Sequence, residues 1–421
     1  MRVKAFELIN FRGIESMPLI FTERTTAIVG VNGVGKSSVL DALAIALSGL
    51  IFRVLDQANK SRDISVDDIR LGADFSRLSV RVDIESREVD WAIAKNRKSG
   101  KHQGIRTSLL ESLNLYTEPV ADILKSAMSS GQTVSLPLAV YYDVHRAVLD
   151  VPLRVQGVLK NTPHEAYSDA LSHGGTDFRG FFAWFRQRED AENERIRDES
   201  NFRDRDLEAV RNAIELFTRF TKLRIRRKPT LRMTVQKEGH ELNVMQLSDG
   251  EKCMLALVGD LARRLSLLNT ALDNPLEGNG VVLIDEVDLH LHPRWQRSVL
   301  SDLARTFPHC QFIVTTHSPQ IIGELKPEAV LLLRDGMFCG HPERSLGLDS
   351  GEVLDEIMEG TARNASVSEE LRKIRRALDD DELDQAQKML EQLMQRVGRI
   401  PDVLEARAAL DMLRWLPEDE E

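Results

Sequence analysis

The sequence predicts an α/β fold built on a mixed, mainly parallel sheet with flanking helices, a helical insertion and a helical C-terminal extension. Three observations predict it. Thr25 to Val29 reads as a buried strand that runs straight into a glycine-rich turn, after which Val39, Leu40, Leu43, Ala44 and Leu47 recur at helical spacing. Gly280 to Ile284 and Gln311 to Thr315 are apolar strands separated by a helix that starts near Pro293, the alternation of a covered parallel sheet. Beyond about residue 346 the pattern is helical only, with helices near Ser366 to Leu378, Asp381 to Val397 and Asp402 to Trp415, broken by Gly398 and Pro401.

Taken in order, residues 1–175 form an N-terminal lobe. Val3, Ala5 and Phe6 through Arg12 read as its first strand, and further strands are expected at Leu78 to Ile84 and Leu136 to Tyr142, with a helix near Leu109 to Met128 between them. Residues 176–228 are dense in Arg, Asp and Glu, and are expected to form an exposed helical arm or hairpin. A C-terminal lobe follows over 229–345, and the helical extension over 346–421.

The whole chain sets limits on function. Its 421 residues, 42% hydrophobic, can fill a large core. A net charge of -10 argues against a protein that coats nucleic acid over its whole surface. Two local basic stretches remain: Lys95, Arg97, Lys98, Lys101 and Arg106, and Lys222, Arg224, Arg226, Arg227, Lys228 and Arg232. Neither has the interleaved aromatics of a stacking platform. The start lacks a signal-peptide pattern and no long apolar run is evident, so a cytoplasmic location without a membrane anchor is expected. The three cysteines, Cys253, Cys310 and Cys339, suit reduced thiols.

The chemistry lies in four short segments. Gly30-Val31-Asn32-Gly33-Val34-Gly35-Lys36-Ser37 fits G-x-x-x-x-G-K-S between a strand and a helix, the context in which that pattern binds phosphate. Glycines let the backbone wrap the anion, helix N–H groups donate to it, Lys36 neutralises the terminal phosphates and Ser37 can ligate Mg²⁺. Val281 to Ile284 ends in Asp285-Glu286, where Asp285 would hold the metal and Glu286 would orient or deprotonate the attacking water. The strand Gln311 to Thr316 brings His317 to the same sheet edge, within reach of a γ-phosphate. Leu247-Ser248-Asp249-Gly250-Glu251-Lys252 opens a helix running to about Leu268; it reads as a second anion-seeking helix end or as a simple cap at Ser248 or Asp249. Two further clusters read as structural: Leu289-His290-Leu291-His292-Pro293 lacks additional metal ligands, and Asp379-Asp380-Asp381 sits between helices.

These segments together resemble the ABC-type ATPases of the RecF, SMC and OLD group, over residues 1–50 and about 230–335. Leu8-Ile9-Asn10-Phe11-Arg12 is similar to that group's first strand, and Gly30 to Ser37 to its Walker A. Leu247 to Lys252 is similar to the signature, with Asp249 and Glu251 where transporters have Gly and Gln. Asp285-Glu286 resembles Walker B, Val287 to His292 the D-loop, and His317 the switch histidine. The resemblance implies ATP and Mg²⁺ as cofactors. It implies nucleotide contacts from Arg12, Asn32, Gly33, Val34, Gly35, Lys36, Ser37, Ser38, Ser248, Gly250 and Glu251, metal binding by Ser37 and Asp285, and catalysis by Glu286 and His317. It further implies a head-to-tail dimer in which Ser248 and Gly250 of one copy complete the Walker A site of the other. A Q-loop glutamine is not identifiable; Asp143-Val144-His145-Arg146 occupies its place.

The compact ATPase, short insertion and helical extension most resemble the PtuA-type subunits of Septu antiphage systems, also found with some retrons. That likeness implies a separate HNH nuclease partner, no nuclease centre in this chain, and self-assembly or docking through Leu371, Ile374, Leu378, Leu383, Met389, Leu390 and Leu393. Two alternatives stand beside it: a RecF-like ATPase that tracks nucleic acid with the basic stretches, and an ATP-locked scaffold with little hydrolysis.

Overall fold

Strands and helices alternate where the apolar periodicity alternates between two and 3.6. The computed structural model describes residues 1–57, 60–98, 104–144, 162–172, 177–358, 360 and 364–415. The N-terminal elements are β1 (Arg2–Phe11), β2 (Ile14–Ile20), β3 (Thr25–Val29), α1 (Lys36–Val54), β4 (Phe75–Ile84), β5 (Arg87–Asn96), α2 (Glu111–Ser130), β6 (Leu138–Tyr142) and α3 (Pro163–Ala166). There follow α4 (Phe178–Asp198), α5 (Arg205–Thr218), β7 (Thr221–Arg226), β8 (Arg232–Lys237), β9 (His240–Asn243), α6 (Asp249–Leu268) and β10 (Gly280–Ile284). Then come α7 (Pro293–Thr306), β11 (Cys310–Thr315), α8 (Pro319–Ile322), β12 (Val330–Arg334) and β13 (Met337–Gly340).

The central sheet has the order β13-β12-β3-β11-β10-β6. Every pairing from β12 to β6 is parallel, and only β13 is antiparallel. The loops after β3, β10, β11 and β6 therefore leave from one edge. β6, β10 and β11 are buried at every position, as a sheet covered on both faces requires. A second, antiparallel sheet has the order β2-β1-β4-β5, and a third, β7-β8-β9, precedes the α6 segment.

α1 packs against strands of both larger sheets: β1 and β4 on one side, β6, β10 and β11 on the other. It is apolar nearly all round for that reason. By length and composition it could cross a bilayer, but 78% of its most apolar window is buried inside the protein, so it is a core helix.

The segment expected as an exposed arm is helical but not exposed along its length. Phe178, Phe181, Phe182, Trp184 and Phe185 open α4 and are fully buried against α6. Gly259 of α6 makes the room: a Cβ there would lie 2.8 Å from Phe181 Cζ. The charged residues fill the other face and the far end, where Arg188 bridges Asp204 and Asp206, and Arg211 joins Glu192 and Glu208.

Residues Leu348–Glu421 form a second compact unit, separate from Met1–Gly347. It holds α9 (Ser350–Glu356), α10 (Ala365–Asp379), α11 (Leu383–Val397) and α12 (Pro401–Trp415). Leu371, Ile374, Leu378, Leu390 and Leu393 are buried in its own core, with Leu383 and Met389 packed against it. These residues, read as candidates for assembly or docking, thus hold α10, α11 and α12 together.

Candidate functional site

The phosphate loop is shaped by backbone that few residues can adopt. Gly33 and Gly35 have φ of 82° and 102°, where a side chain is strained. At Gly30 a Cβ would fall 2.4 Å from the Leu333 carbonyl oxygen, so the loop lies directly on β12. The N-cap of α1 is Gly35, with no side-chain cap and no acid in the first turn, which leaves the helix's first N–H groups for an external anion. Ser37 is exposed in that turn. Lys36 is buried and donates to the carbonyls of Gly30 (2.9 Å) and Val31 (3.1 Å). Burial pushes its ammonium down from the ordinary value, opposed by Asp285, Glu286 and Asp288.

The acids come from the next strands. Asp285 is buried, its N–H bonded to the Tyr142 carbonyl of β6 at 2.8 Å. Glu286 is half-buried with a left-handed φ of 46°. Leu289 N–H donates to the Glu286 carbonyl and Leu291 N–H to that of Asp288, closing the turn after β10. His317, at the end of β11, is half-buried. Burial, reinforced by Lys36, lowers its imidazole pKa against the opposite pull of Asp288, Glu286 and Asp285. Lys36, both acids and His317 thus share one electrostatic neighbourhood at the C-terminal edge of the sheet.

Arg12 lies in the β1–β2 turn, and Ile14, the first residue of β2, places its Cδ1 3.4 Å from the Cβ position of Gly35. The Arg12 guanidinium is held by Asp41 of α1 (2.5 Å) and Asp68 (2.9 Å). Asp41 also accepts from Arg62 at 2.6 Å.

Ser248, Gly250 and Glu251 stand at a different place, the N-terminus of α6. Ser248 is exposed and forms a capping box with Glu251, whose carboxylate also accepts from Lys237 at 2.6 Å. Burial pushes the Glu251 carboxyl up, but the bonds from Lys237 and Ser248 outweigh it and hold it below its ordinary value. A Cβ on Gly250 would lie 2.5 Å from the His290 carbonyl oxygen, so the loop after Glu286 packs against this helix end. The helix-cap reading and the anion-seeking reading of this segment are compatible, because the cap leaves Ser248 on the surface.

Other sequence features take structural roles. His292 caps α7, its Nδ1 accepting from Arg294 N–H at 3.2 Å. Among the described residues, no cluster of three or more His, Cys, Asp or Glu is poised for a metal. Within the basic stretches, Arg224 and Arg226 pair with Glu241, Arg227 with Glu189, Lys95 with Asp63 and Arg106 with Asp74, while Arg97 bonds backbone carbonyls. Lys101, and His145 and Arg146 of the Q-loop position, lie outside the described residues. Asp143 is buried just past β6.

Sequence reasoning missed Thr315 and Thr316, which bond Asp285 and Asp288, and the buried tie from Tyr142 to Asp260 of α6. No local sequence signal marks Thr315: its place follows from the strand register, in which Ile284 pairs with Val314 and the next residues adjoin.

The donors present fit a nucleoside triphosphate with a hard divalent cation: free helix N–H groups, a buried lysine, a hydroxyl and a carboxylate. Comparison with known proteins agrees with this chemistry. A family model described as "AAA domain, putative AbiEii toxin, Type IV TA system" matches residues 25–323. A protein of Escherichia coli named "Retron Ec83 probable ATPase" is 31% identical, over 86% of this chain and 77% of its own. A "Septu protein PtuA" of Bacillus thuringiensis is 22% identical, over 76% of this chain and 72% of its own. An SMC head, solved bound to the C-terminal winged-helix domain of ScpA, aligns with 80% of this chain and 96% of its own, at 18% identity and a TM-score of 0.46. The chain therefore belongs to the AAA-domain family whose model matches residues 25–323.

Proposed function

We propose that this chain binds ATP with Mg²⁺ on the Gly30 to Ser37 loop and hydrolyses it at sites completed by a second copy, as the ATPase subunit of an antiphage defence system. The observation that carries the reading is the convergence of Lys36, Asp285, Glu286 and His317 on one sheet edge, beside a helix N-terminus with no side-chain cap.

In this reading Asn32, Gly33, Val34, Gly35 and Ser38 cradle the phosphates, with Arg12 approaching from the β1–β2 turn. Ser37 and Asp285 would hold Mg²⁺, which when bound supplies charge neutralisation at the β- and γ-phosphates. Glu286 takes the proton of the attacking water, and neutral His317 donates a hydrogen bond to the γ-phosphate. The exposed Ser248, with Gly250 and Glu251 behind it, would meet the nucleotide held by the other copy. A head-to-tail dimer follows from that division of labour. The retron and Septu names of the relatives support a defence role. Control of a separate HNH nuclease is the finer part of this proposal.

The test is mass measurement with and without ATP, together with phosphate release by wild type and Glu286→Gln. The expected outcome is an ATP-dependent dimer in both proteins and a loss of about 100-fold or more in release for the variant. Equal release rates would remove the hydrolytic assignment, and a monomer that never binds ATP would remove the whole reading. Co-expression with an adjacent HNH reading frame tests the partner: co-purification supports it, and separate elution counts against it.

A further inference from the structure

Parallel pairing of β10 with β11 sets Ile284 beside Val314, so Asp285 and Thr315 stand side by side where the two strands end. Thr315 is fully buried. Its hydroxyl donates to Asp285 Oδ1 at 2.5 Å and accepts from the Glu286 N–H at 2.7 Å, while its carbonyl accepts from the Val287 N–H at 3.0 Å. Both hydrogen-bonding roles of one hydroxyl are therefore filled by the turn that carries the two acids. Glu286 needs such a hold, because its left-handed φ is unfavourable for a non-glycine residue unless its surroundings fix it. Thr316 repeats the arrangement one residue on: its hydroxyl donates to Asp288 at 2.6 Å and accepts from the Ser318 N–H at 3.0 Å.

We propose that Thr315 is a positioning residue for ATP hydrolysis, its buried hydroxyl aiming the Asp285 carboxylate and locking the Glu286 backbone in the conformation that presents the base. The proposal rests on the ATPase reading above. Its chemical logic is the same as for any group that holds a metal ligand by a hydrogen bond: the ligand's direction depends on the holder. Valine matches threonine in shape but offers Asp285 no donor and the Glu286 N–H no acceptor. Serine keeps both.

Thr315→Val is expected to lower kcat for ATP by about 10–100-fold while KM stays within about twofold, since the phosphate loop is untouched. A second readout is independent of turnover. With a non-hydrolysable ATP analogue bound, Mn²⁺ affinity measured by electron paramagnetic resonance should weaken about tenfold or more in Thr315→Val. Thr315→Ser should restore both quantities to within about threefold. If Thr315→Val does not fold, Thr315→Ala makes the same two measurements.

A purely structural role predicts lower melting temperatures for the variants, with kcat per bound nucleotide and Mn²⁺ affinity unchanged; that outcome overturns the proposal. Failure of the ATPase reading would look different, because wild type and Glu286→Gln would then release phosphate alike before Thr315 is touched.

Discussion

Asp260 offers a sharp test of what holds the site's scaffold together. It is fully buried on α6 and accepts from Arg263 (2.8 Å), Arg264 (2.8 Å) and the Tyr142 hydroxyl (3.0 Å), joining that helix to β6, the strand that ends at Tyr142. Burial alone would raise its carboxyl pKa, but the two guanidiniums outweigh burial and hold it at about 2. Asp260→Asn keeps the shape and removes the charge, leaving two buried cations. Breaking a buried pair in this way costs about 3–5 kcal/mol. The lower end applies here, because Arg264 retains the carbonyls of Ala166 and Ser168, and Arg263 retains Asp177. Urea unfolding followed by tryptophan fluorescence should show a loss of about 3 kcal/mol, matched by a melting temperature lower by about 4 °C. The wild-type contribution also has a pH signature. The folded pKa lies below the ordinary 3.8, so this stability is fully present above that value and disappears as pH falls towards 2. A loss under about 1 kcal/mol would refute the view that Asp260 neutralises these arginines.

Further expectations concern the loop after Glu286 and the switch histidine. Gly250→Ala would drive a Cβ into the His290 carbonyl, an overpacking cost of about 1–3 kcal/mol. In a Glu286→Gln background it should abolish ATP-dependent dimers by sedimentation while ATP binding by the monomer persists; unchanged dimers would count against Gly250 as an interface residue. His317 has a folded pKa below 6.5, so the stability it contributes is present above that pH and lost as pH falls through the lower folded value. Thermal midpoints of wild type should therefore drop more steeply on acidification below 6.5 than those of His317→Asn, and parallel curves would exclude the shift.

The site was legible because its signals are local. A strand, a glycine loop and a helix lie within residues 25–47, and each apolar strand announces its own C-terminal end. Features that depend on distant pairing were not legible. Nothing near Arg12 reveals that Asp41 and Asp68 hold it, and the order β2-β1-β4-β5 depends on pairing across a long stretch of chain. The α4 segment misleads because its charged residues dominate composition, while the aromatic run from Phe178 to Phe185 decides which side goes inward. Even so, Gly259, the notch that receives Phe181, sits in a helix with no local hint of its use.

The position of β3 has a consequence for the order in which the molecule is made. β3 ends at Val29, yet its neighbours on either side begin only at Cys310 and Val330, and the Gly30 turn rests on Leu333. A chain emerging from the ribosome presents the phosphate loop almost at once but cannot seat it until the last strands arrive, roughly 15–60 s later at ordinary elongation rates. Nascent chains should therefore be blind to ATP, and the site should come into being in one late step together with the acids that act on the nucleotide.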